Sequence, residues 1–400
     1  MTAARPSAVY LLASSPYPPV SGNKLRSAMI TSALGERFDV MVVALDDVDA
    51  PGPLGAAARR LLARRHSGTA LAMDTAVGVL SGRPVLLQRS VRAGCPSAVA
   101  ELLRQVRPDF VLLGRPLVGP YVAAAHAVGA RVVIDADEWM ARVARGVARS
   151  RRAPFTQRLR AAVEAAVILD RMERRAYLTA DQLWVSSDSE CVAFRLLLPA
   201  ADIRVVPNGI ELPDVAPACP PATAVAFVGW YRYPPNEAAA IELAADIMPA
   251  VRAAGGPDRL VLIGPDPTPA MRHVAREQTD TLTGEVPDVR GALRDAGILA
   301  VPIRSGGGTR VKILEAIASG VPVVSTRLGI AGLGLRDGTD ILVAETTSEF
   351  TSAIRRLAND ASLRASVAAA AFASVRPRFS RSAAASAISA AVDDLMPAGS

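Results

Sequence analysis

Lysine is almost missing from this chain: Lys24 and Lys312 stand against forty-three arginines. Histidine occurs only at His66, His126 and His273, and cysteine only at Cys95, Cys191 and Cys219. The cysteines are widely spaced and form no C-x-x-C pair, which excludes a zinc knuckle, fits a reducing compartment and makes them packing residues. Aromatic residues make up 4% of the sequence and do not interleave with the arginines, so a base-stacking nucleic-acid surface is disfavoured. Long apolar runs are absent as well. Runs such as Ala8–Ala13 and Ile298–Ile303 fall far short of the ~20 residues of a membrane span. The N-terminal residues enter the first of these runs without an apolar stretch and small-residue cleavage site, so the expected location is cytoplasmic.

What is present is an aliphatic α/β composition. Half of the 400 residues are hydrophobic, and a chain of this length is expected to divide into two domains of roughly 200 residues. The net charge of +7 is uneven: residues 1–205 carry 27 Lys and Arg against 18 Asp and Glu, the remainder 18 against 20. Arg59, Arg60, Arg64 and Arg65, then Arg142, Arg145, Arg149, Arg151, Arg152, Arg158 and Arg160, form the densest clusters. Solvated helix faces account for such clusters; attraction to an anionic acceptor or to a membrane periphery is the sharper alternative.

Short apolar runs alternate with amphipathic stretches. Strands are expected at 9–13, 40–45, 110–113, 132–134, 183–186 and 203–206, and helices around 24–35, 54–65, 97–106, 118–128, 157–179 and 189–197, the last capped by Asp188. Pro213, Pro217, Pro220 and Pro221 mark 212–222 as a linker. The alternation restarts with strands at 225–229, 260–264, 281–286, 298–303, 322–325 and 341–344. The expectation is an N-terminal Rossmann-like domain over 1–211 and a second over 223–379. A last helix within 380–400 is expected to return to the first domain. Two doubly wound domains in tandem should face a central cleft, with ligands beyond the carboxyl ends of the strands.

The chemistry concentrates in Ile298–Thr326, which reads strand, glycine loop, helix, glycine stop, strand. Gly306, Gly307 and Gly308 leave backbone N–H groups unshielded immediately before a helix N-terminus, a natural phosphate seat. Arg304, Arg310 and Lys312 surround the loop, and a lysine in so lysine-poor a chain is a compact ammonium suited to a phosphate oxygen. Glu315 would be repelled by phosphates, so it points to solvent or accepts hydrogen bonds from neutral hydroxyls such as those of a ribose. No G-x-x-x-x-G-K-[ST] occurs, and the first strand is followed by Ser14–Lys24 rather than G-x-G-x-x-G, which removes the kinase and dehydrogenase readings.

With these motifs in view, the sequence resembles the family 4 glycosyltransferases, in particular a subgroup carrying Gly-Gly-Gly-Thr-Arg-x-Lys-x-Leu-Glu-Ala in the donor loop. Further matches are Pro16–Gly22, Val206–Ile210, Phe227–Asn236, Gly284–Val289 and Gly320–Ser325. The resemblance implies the GT-B fold, a nucleotide-diphosphate sugar as donor substrate, no cofactor, no donor-bound metal and retention of anomeric configuration. It implies that Gly306, Gly307, Gly308, Thr309, Arg310 and Lys312 cradle the diphosphate, and that Glu315 holds the ribose. Val289 then lies near the base and Gly22 closes over the diphosphate. Gly229 ends the strand beside the donor, with Arg232 or Arg304 in place of the Arg and Lys of many relatives. The family's first glutamate falls on Gly307, which leaves the transferred sugar less constrained.

On the acceptor side stand Asn23 and Lys24 in the first loop and Asp135, Asp137 and Glu138 after the fourth expected strand, 132–134. A metal-binding D-x-D is the tempting reading of the acids; a doubly wound context favours carboxylates at a strand edge facing the cleft, with Asp137 orienting an acceptor hydroxyl or amine. His126 is expected to pack inside its helix. Arg304 and Lys312 then stabilise the departing diphosphate, and a front-face reaction in which that diphosphate receives the acceptor proton needs no histidine base. The acceptor itself is open among glycan, lipid carrier and small metabolite. A GT-B epimerase or phosphorylase, or a non-catalytic partner subunit, are the alternatives.

Overall fold

The computed structural model describes residues 5–17, 21–45, 58–60, 77, 85–114, 119–137, 139–149, 155–163, 165, 170–278, 280–306 and 310–396. It divides into two compact units. The first comprises Met1–Ala148, Leu159–Asn208 and Ala384–Ser400, the second Arg149–Arg158 and Gly209–Ala383.

Seven parallel strands build the sheet of the first unit: β1 (Ser7–Leu12), β2 (Asp39–Ala44), β3 (Ala58–Arg60), β4 (Phe110–Gly114), β5 (Arg131–Asp137), β6 (Gln182–Val185) and β7 (Ile203–Val205). Their order is β3-β2-β1-β4-β5-β6-β7. The strands are continuous apolar runs because helices cover both faces. On one face Val9, Leu11, Val111, Leu113 and Ile134 pack with Trp139, Tyr177 and Phe194; on the other Tyr10, Phe110, Leu112 and Trp184 pack with Met29 and Ile30. The described helices of this half of the sequence are α1 (Gly22–Gly35), α2 (Val85–Arg92), α3 (Cys95–Val106), α4 (Pro120–His126), α5 (Met140–Arg149), α6 (Phe155–Val163), α7 (Asp170–Tyr177) and α8 (Asp188–Leu197), of which Arg149 and the part of α6 up to Arg158 count with the second unit.

Six parallel strands build the second sheet: β8 (Ala224–Val228), β9 (Leu260–Ile263), β10 (Thr281–Gly284), β11 (Gly297–Val301), β12 (Val323–Ser325) and β13 (Leu342–Val343), in the order β10-β9-β8-β11-β12-β13. Around it lie α9 (Pro234–Glu242), a π-helical turn (Leu243–Ile247) continuing into α10 (Met248–Ala253), α11 (Pro269–Gln278), α12 (Val289–Ala296), α13 (Val311–Ala318), α14 (Thr347–Asn359) and α15 (Ala361–Phe379). The last helix, α16 (Arg381–Leu395), belongs mostly to the first unit. Its Ala384, Ile388, Ala391, Val392 and Leu395 join the cluster around Tyr10 and Trp184. Both sheets reverse strand order beside their first strand, and two such doubly wound units are the GT-B fold.

Several expectations are corrected. Residues 58–60, read as helix, are the edge strand β3, paired with Val42–Ala44; backbone pairing with β2 overrides the arginine-rich helical propensity. Of the expected helix 157–179, α6 and α7 are described, and residues 164 and 166–169 between them lie outside the described residues. The cap of α8 is Ser187, not Asp188: Ser187 is extended and its side chain accepts from Glu190 N, while Asp188 lies in the first turn. His126 is half exposed and sits 3.2 Å from Asp181 across Nε2 and Oδ2, so it makes a surface contact and is not a packing residue.

Candidate donor site at the second sheet

In a sheet of this order the crevice opens where the order reverses, at the carboxyl ends of β8 and β11. Two segments meet there, 229–233 after β8 and 302–306 after β11, at Gly306 and Tyr233. The backbones at the ends of β8 and β9 come unusually close. Gly264, at φ +136°, is so near Gly229 that a side chain there would overlap the Gly229 carbonyl oxygen. Gly306, at φ +95°, leaves space for a Cβ only 2.7 Å from the Tyr233 hydroxyl and 3.3 Å from an Arg310 guanidinium nitrogen, so glycine is required by conformation and by room alike.

Lys312, on the first turn of α13, is the centre of this arrangement. Its ammonium donates to Asn236 Oδ1 at 2.8 Å and lies 4.0 Å from the centroid of the Phe227 ring. Both partners are uncharged. Burial and the neighbouring Arg310 hold its pKa well below the ordinary lysine value. Asn236 is itself buried and donates through Nδ2 to the Trp230 carbonyl at 2.9 Å. One amide thus fixes both the lysine and the loop after β8. Arg310 is buried at the N-cap of α13 with no capping side chain, so the first N–H groups of that helix and two cations face the same corner.

The other expected residues fall into distinct roles. Arg304 is clamped by Glu242, with Nε 3.1 Å from both carboxylate oxygens and Nη2 2.8 Å from Oε1, and also donates to the Glu345 carbonyl. Glu242 raises its pKa, so the guanidinium stays charged and its charge is already met. Glu315 does not point free to solvent: its Oε2 accepts from Arg290 Nε at 2.5 Å, and Arg290 also donates to the Glu211 carbonyl at 2.6 Å. An arginine at the first turn of α12 reaches it, which spacing along α13 alone does not reveal. Val289 opens α12 beside the Asp288 cap. Arg232 is exposed and pairs with Asp266, which also accepts from Trp230 Nε1 at 2.9 Å. Gly307, Gly308 and Thr309 lie outside the described residues, as does Glu138.

In the first unit, Asp135 does not stand at a free strand edge as expected. Strand β5 runs on to Asp137, and Asp135 is buried against Arg26 of α1, whose Nε lies 2.9 and 3.0 Å from its two oxygens. Arg26, 4% exposed, also donates to the Val206 carbonyl and to Asn208 Oδ1, both at 2.8 Å. The carboxylate is therefore consumed by a buried ion pair that ties α1 to the ends of β5 and β7. Asp137 differs. The β5–β6 register shifts between Asp135 and Asp137, and Asp137 takes a left-handed backbone, φ +46°. Non-glycine residues held there carry strain that tends to mark functional positions. Gly22, Asn23 and Lys24 form the first turn of α1 after Ser21. Among the described residues no three His, Cys, Asp or Glu side chains converge on a metal-sized site.

Comparison with known proteins bears on the second unit directly. Residues 222–360 match the model of the family described as Glycosyl transferases group 1. That is about a third of the chain, and it contains both loops of the crevice. No curated protein matches the chain in sequence. Solved structures match over nearly all of it. Sucrose-phosphate synthase from Thermosynechococcus elongatus has 15% identity and a TM-score of 0.71, covering 98% of this chain and 100% of that one. Anabaena HepE, solved with UDP and glucose, has 15% identity and a TM-score of 0.65, covering 97% and 100%. A glycosyltransferase from Rickettsia africae has 10% identity and a TM-score of 0.62, covering 99% and 100%. At these identities the likeness fixes the GT-B fold.

Proposed function

We propose that the protein is a glycosyltransferase that moves a sugar from a nucleoside-diphosphate donor, bound at the crevice between β8 and β11, to an acceptor hydroxyl or amine. The carrying observation is Lys312: a half-buried ammonium whose partners are an amide oxygen and an aromatic face is a positive charge awaiting an anion. The glycosyl transferases group 1 match over this segment and the UDP bound by HepE support a diphosphate as that anion.

In the reaction we propose, the bond from the anomeric carbon to the diphosphate oxygen lengthens first. Lys312, Arg310 and the N–H groups opening α13 stabilise the negative charge that develops on the leaving group. The sugar passes through an oxocarbenium-like centre. The acceptor oxygen or nitrogen bonds to the same face of that carbon, and its proton goes to the departing phosphate oxygen, so configuration is retained. Asp137 orients the acceptor. A chelating pair with Asp135 is disfavoured because Asp135 is already engaged by Arg26. Arg290 holds Glu315 in place to accept from ribose hydroxyls.

The experiment is a titration of the protein with nucleoside diphosphates and the matching nucleosides, read by thermal shift and calorimetry, with and without a chelator. Stabilisation by a diphosphate far beyond its nucleoside, unchanged by chelation, is expected. Equal effects of both ligands would defeat the phosphate seat, and binding that requires a divalent ion would defeat the metal-free reading.

A further inference from the structure

Of the three tryptophans in the chain, Trp139 and Trp184 are core residues of the first unit, 2% and 0% exposed. Trp230, in the segment that follows β8 in the second unit, is 45% exposed. An indole left half in water forgoes much of the burial that normally places so large an apolar side chain. It is nevertheless held. Its Nε1 donates to Asp266 Oδ2 at 2.9 Å, and its carbonyl accepts from Asn236 Nδ2 at 2.9 Å. The ring is fixed at its edge and at its root, and much of its surface stays open.

Asp266 is itself set in a constrained place. It follows β9 between Pro265 and Pro267 and takes a left-handed backbone, φ +58°, a conformation that costs a non-glycine residue and collects at ligand sites. The same Oδ2 meets Arg232 Nε at 3.2 Å, so the carboxylate charge is balanced while the indole is held. Backbone bonds join the neighbouring segments: Tyr231 N donates to the Pro265 carbonyl at 3.3 Å, and Gly264 N to the Gly284 carbonyl at 2.9 Å. The loops after β8 and β9 therefore form one frame around the ring.

This frame is wired to the cation of the diphosphate seat. Asn236 binds the Trp230 carbonyl with its Nδ2 and takes the Lys312 ammonium on its Oδ1, so the root of the indole lies two hydrogen bonds from that charge. In the sheet, β9 and β11 flank β8 on opposite sides. Gly306, Arg310 and Lys312 follow β11, whereas the indole is drawn toward the end of β9. A ligand seated by its phosphates on the β11 side meets an aromatic face on the other. A hexose laid on that face would need polar partners for its hydroxyls, and the two at hand, Asp266 and Asn236, are engaged by Trp230, Arg232 and Lys312. A flat heterocycle asks only for the face.

We propose that Trp230 is the platform on which the nucleobase of the donor stacks, with Asp266 as the residue that positions it. This rests on the diphosphate seat described under the proposed function and adds what holds the far end of the nucleotide. Every base has a π face, so the platform contributes affinity and orientation and leaves the choice between bases to other groups.

The test is calorimetric titration of the full chain and of Trp230→Ala and Trp230→Phe with UDP, GDP, UDP-glucose and inorganic pyrophosphate, alongside a circular-dichroism melt. Trp230→Ala should weaken both nucleotides by about 5- to 150-fold and leave pyrophosphate within about twofold, with the melt unchanged because the side chain is half exposed. Trp230→Phe keeps a ring and should recover most of the loss. Fluorescence gives a readout independent of the variants' folding: with Trp139 and Trp184 buried, the emission quenched by acrylamide in the parent is that of Trp230, and UDP should protect it where pyrophosphate does not. Unchanged nucleotide affinity in Trp230→Ala, or no protection by UDP, would remove the platform and leave the seat. Equal weakening of pyrophosphate and UDP would make Trp230 a support for Asn236 and Lys312 only, and weakening of UDP-glucose without UDP would assign the indole to the sugar; either overturns the proposal. A parent that binds none of the diphosphates would defeat the seat and the platform together.

Discussion

Replacing Lys312 by Met separates the roles of this side chain because it moves stability and affinity in opposite directions. In the unliganded protein the substitution removes a half-buried ammonium whose partners are neutral. The lost cation–π contact and the lost hydrogen bond to Asn236 cost about 1 kcal/mol each, and Asn236 keeps its bond to the Trp230 carbonyl. Against that, several kcal/mol of charge desolvation are relieved, and Met fills much the same volume. The expected net change is neutral to about 2 kcal/mol stabilising, a rise of the melting temperature by up to about 8 °C for a unit of this size. Diphosphate binding loses a charge-assisted contact of about 2–3 kcal/mol, or roughly 30- to 150-fold, while the nucleoside loses little. The assay is a thermal melt of both proteins together with calorimetric titration of each ligand. A melting temperature several degrees lower in Lys312→Met, with nucleoside and diphosphate weakened alike, would refute the reasoning, because Lys312 would then be a packing residue.

The same lysine sets a pH dependence. Its lowered pKa means that the folded state binds fewer protons than the unfolded chain between that value and about 10.4. Unliganded stability therefore rises with pH across this window, while diphosphate affinity falls as the free ammonium deprotonates; calorimetry in buffers of different ionisation enthalpy should show proton uptake on binding, absent in Lys312→Met. Glu315→Gln should weaken a ribonucleotide about tenfold more than its 2′,3′-dideoxy analogue, and equal weakening would mean that Glu315 serves only to anchor Arg290. Asp137→Asn should reduce transfer by about 100-fold with donor affinity within about twofold of the parent; loss of donor binding would place the carboxylate on the donor. Arg26→Met strands Asp135 in the interior and should cost about 3–5 kcal/mol, read as a lowered urea midpoint of the first unit.

The strand–helix alternation was legible because strands covered on both faces must be apolar throughout, and β1, β4, β5, β8 and β11 are such runs. Lys312 was legible through its rarity and its place after a glycine loop. Its partner was not: Asn236 lies 76 residues away, and nothing in Pro-Pro-Asn announces a lysine ligand. Glu242, 62 residues from Arg304, and Arg26, 109 residues from Asp135, were hidden for the same reason. Pairing across a sheet is a property of topology, so a local pattern identified the charges and left open what neutralises them. Residues 58–60 failed differently. Three residues are too few for period to distinguish strand from helix, and the hydrogen bonds of β2 decide.

The return of α16 to the first unit also governs how the protein comes into being. Residues Met1–Asn208 emerge from the ribosome early, yet the cluster around Tyr10, Phe110 and Trp184 is closed by Ala384, Ile388, Ala391, Val392 and Leu395. At ~5–20 residues per second these arrive roughly 10–35 s after Asn208. Throughout that interval one face of a finished seven-stranded sheet is short of its cover, while the second unit, whose segment from Gly209 to Ala383 is nearly contiguous, can complete its own core. The nascent chain thus matures out of sequence order, its first half last, and its need for a chaperone should be greatest on polysomes stalled between the two.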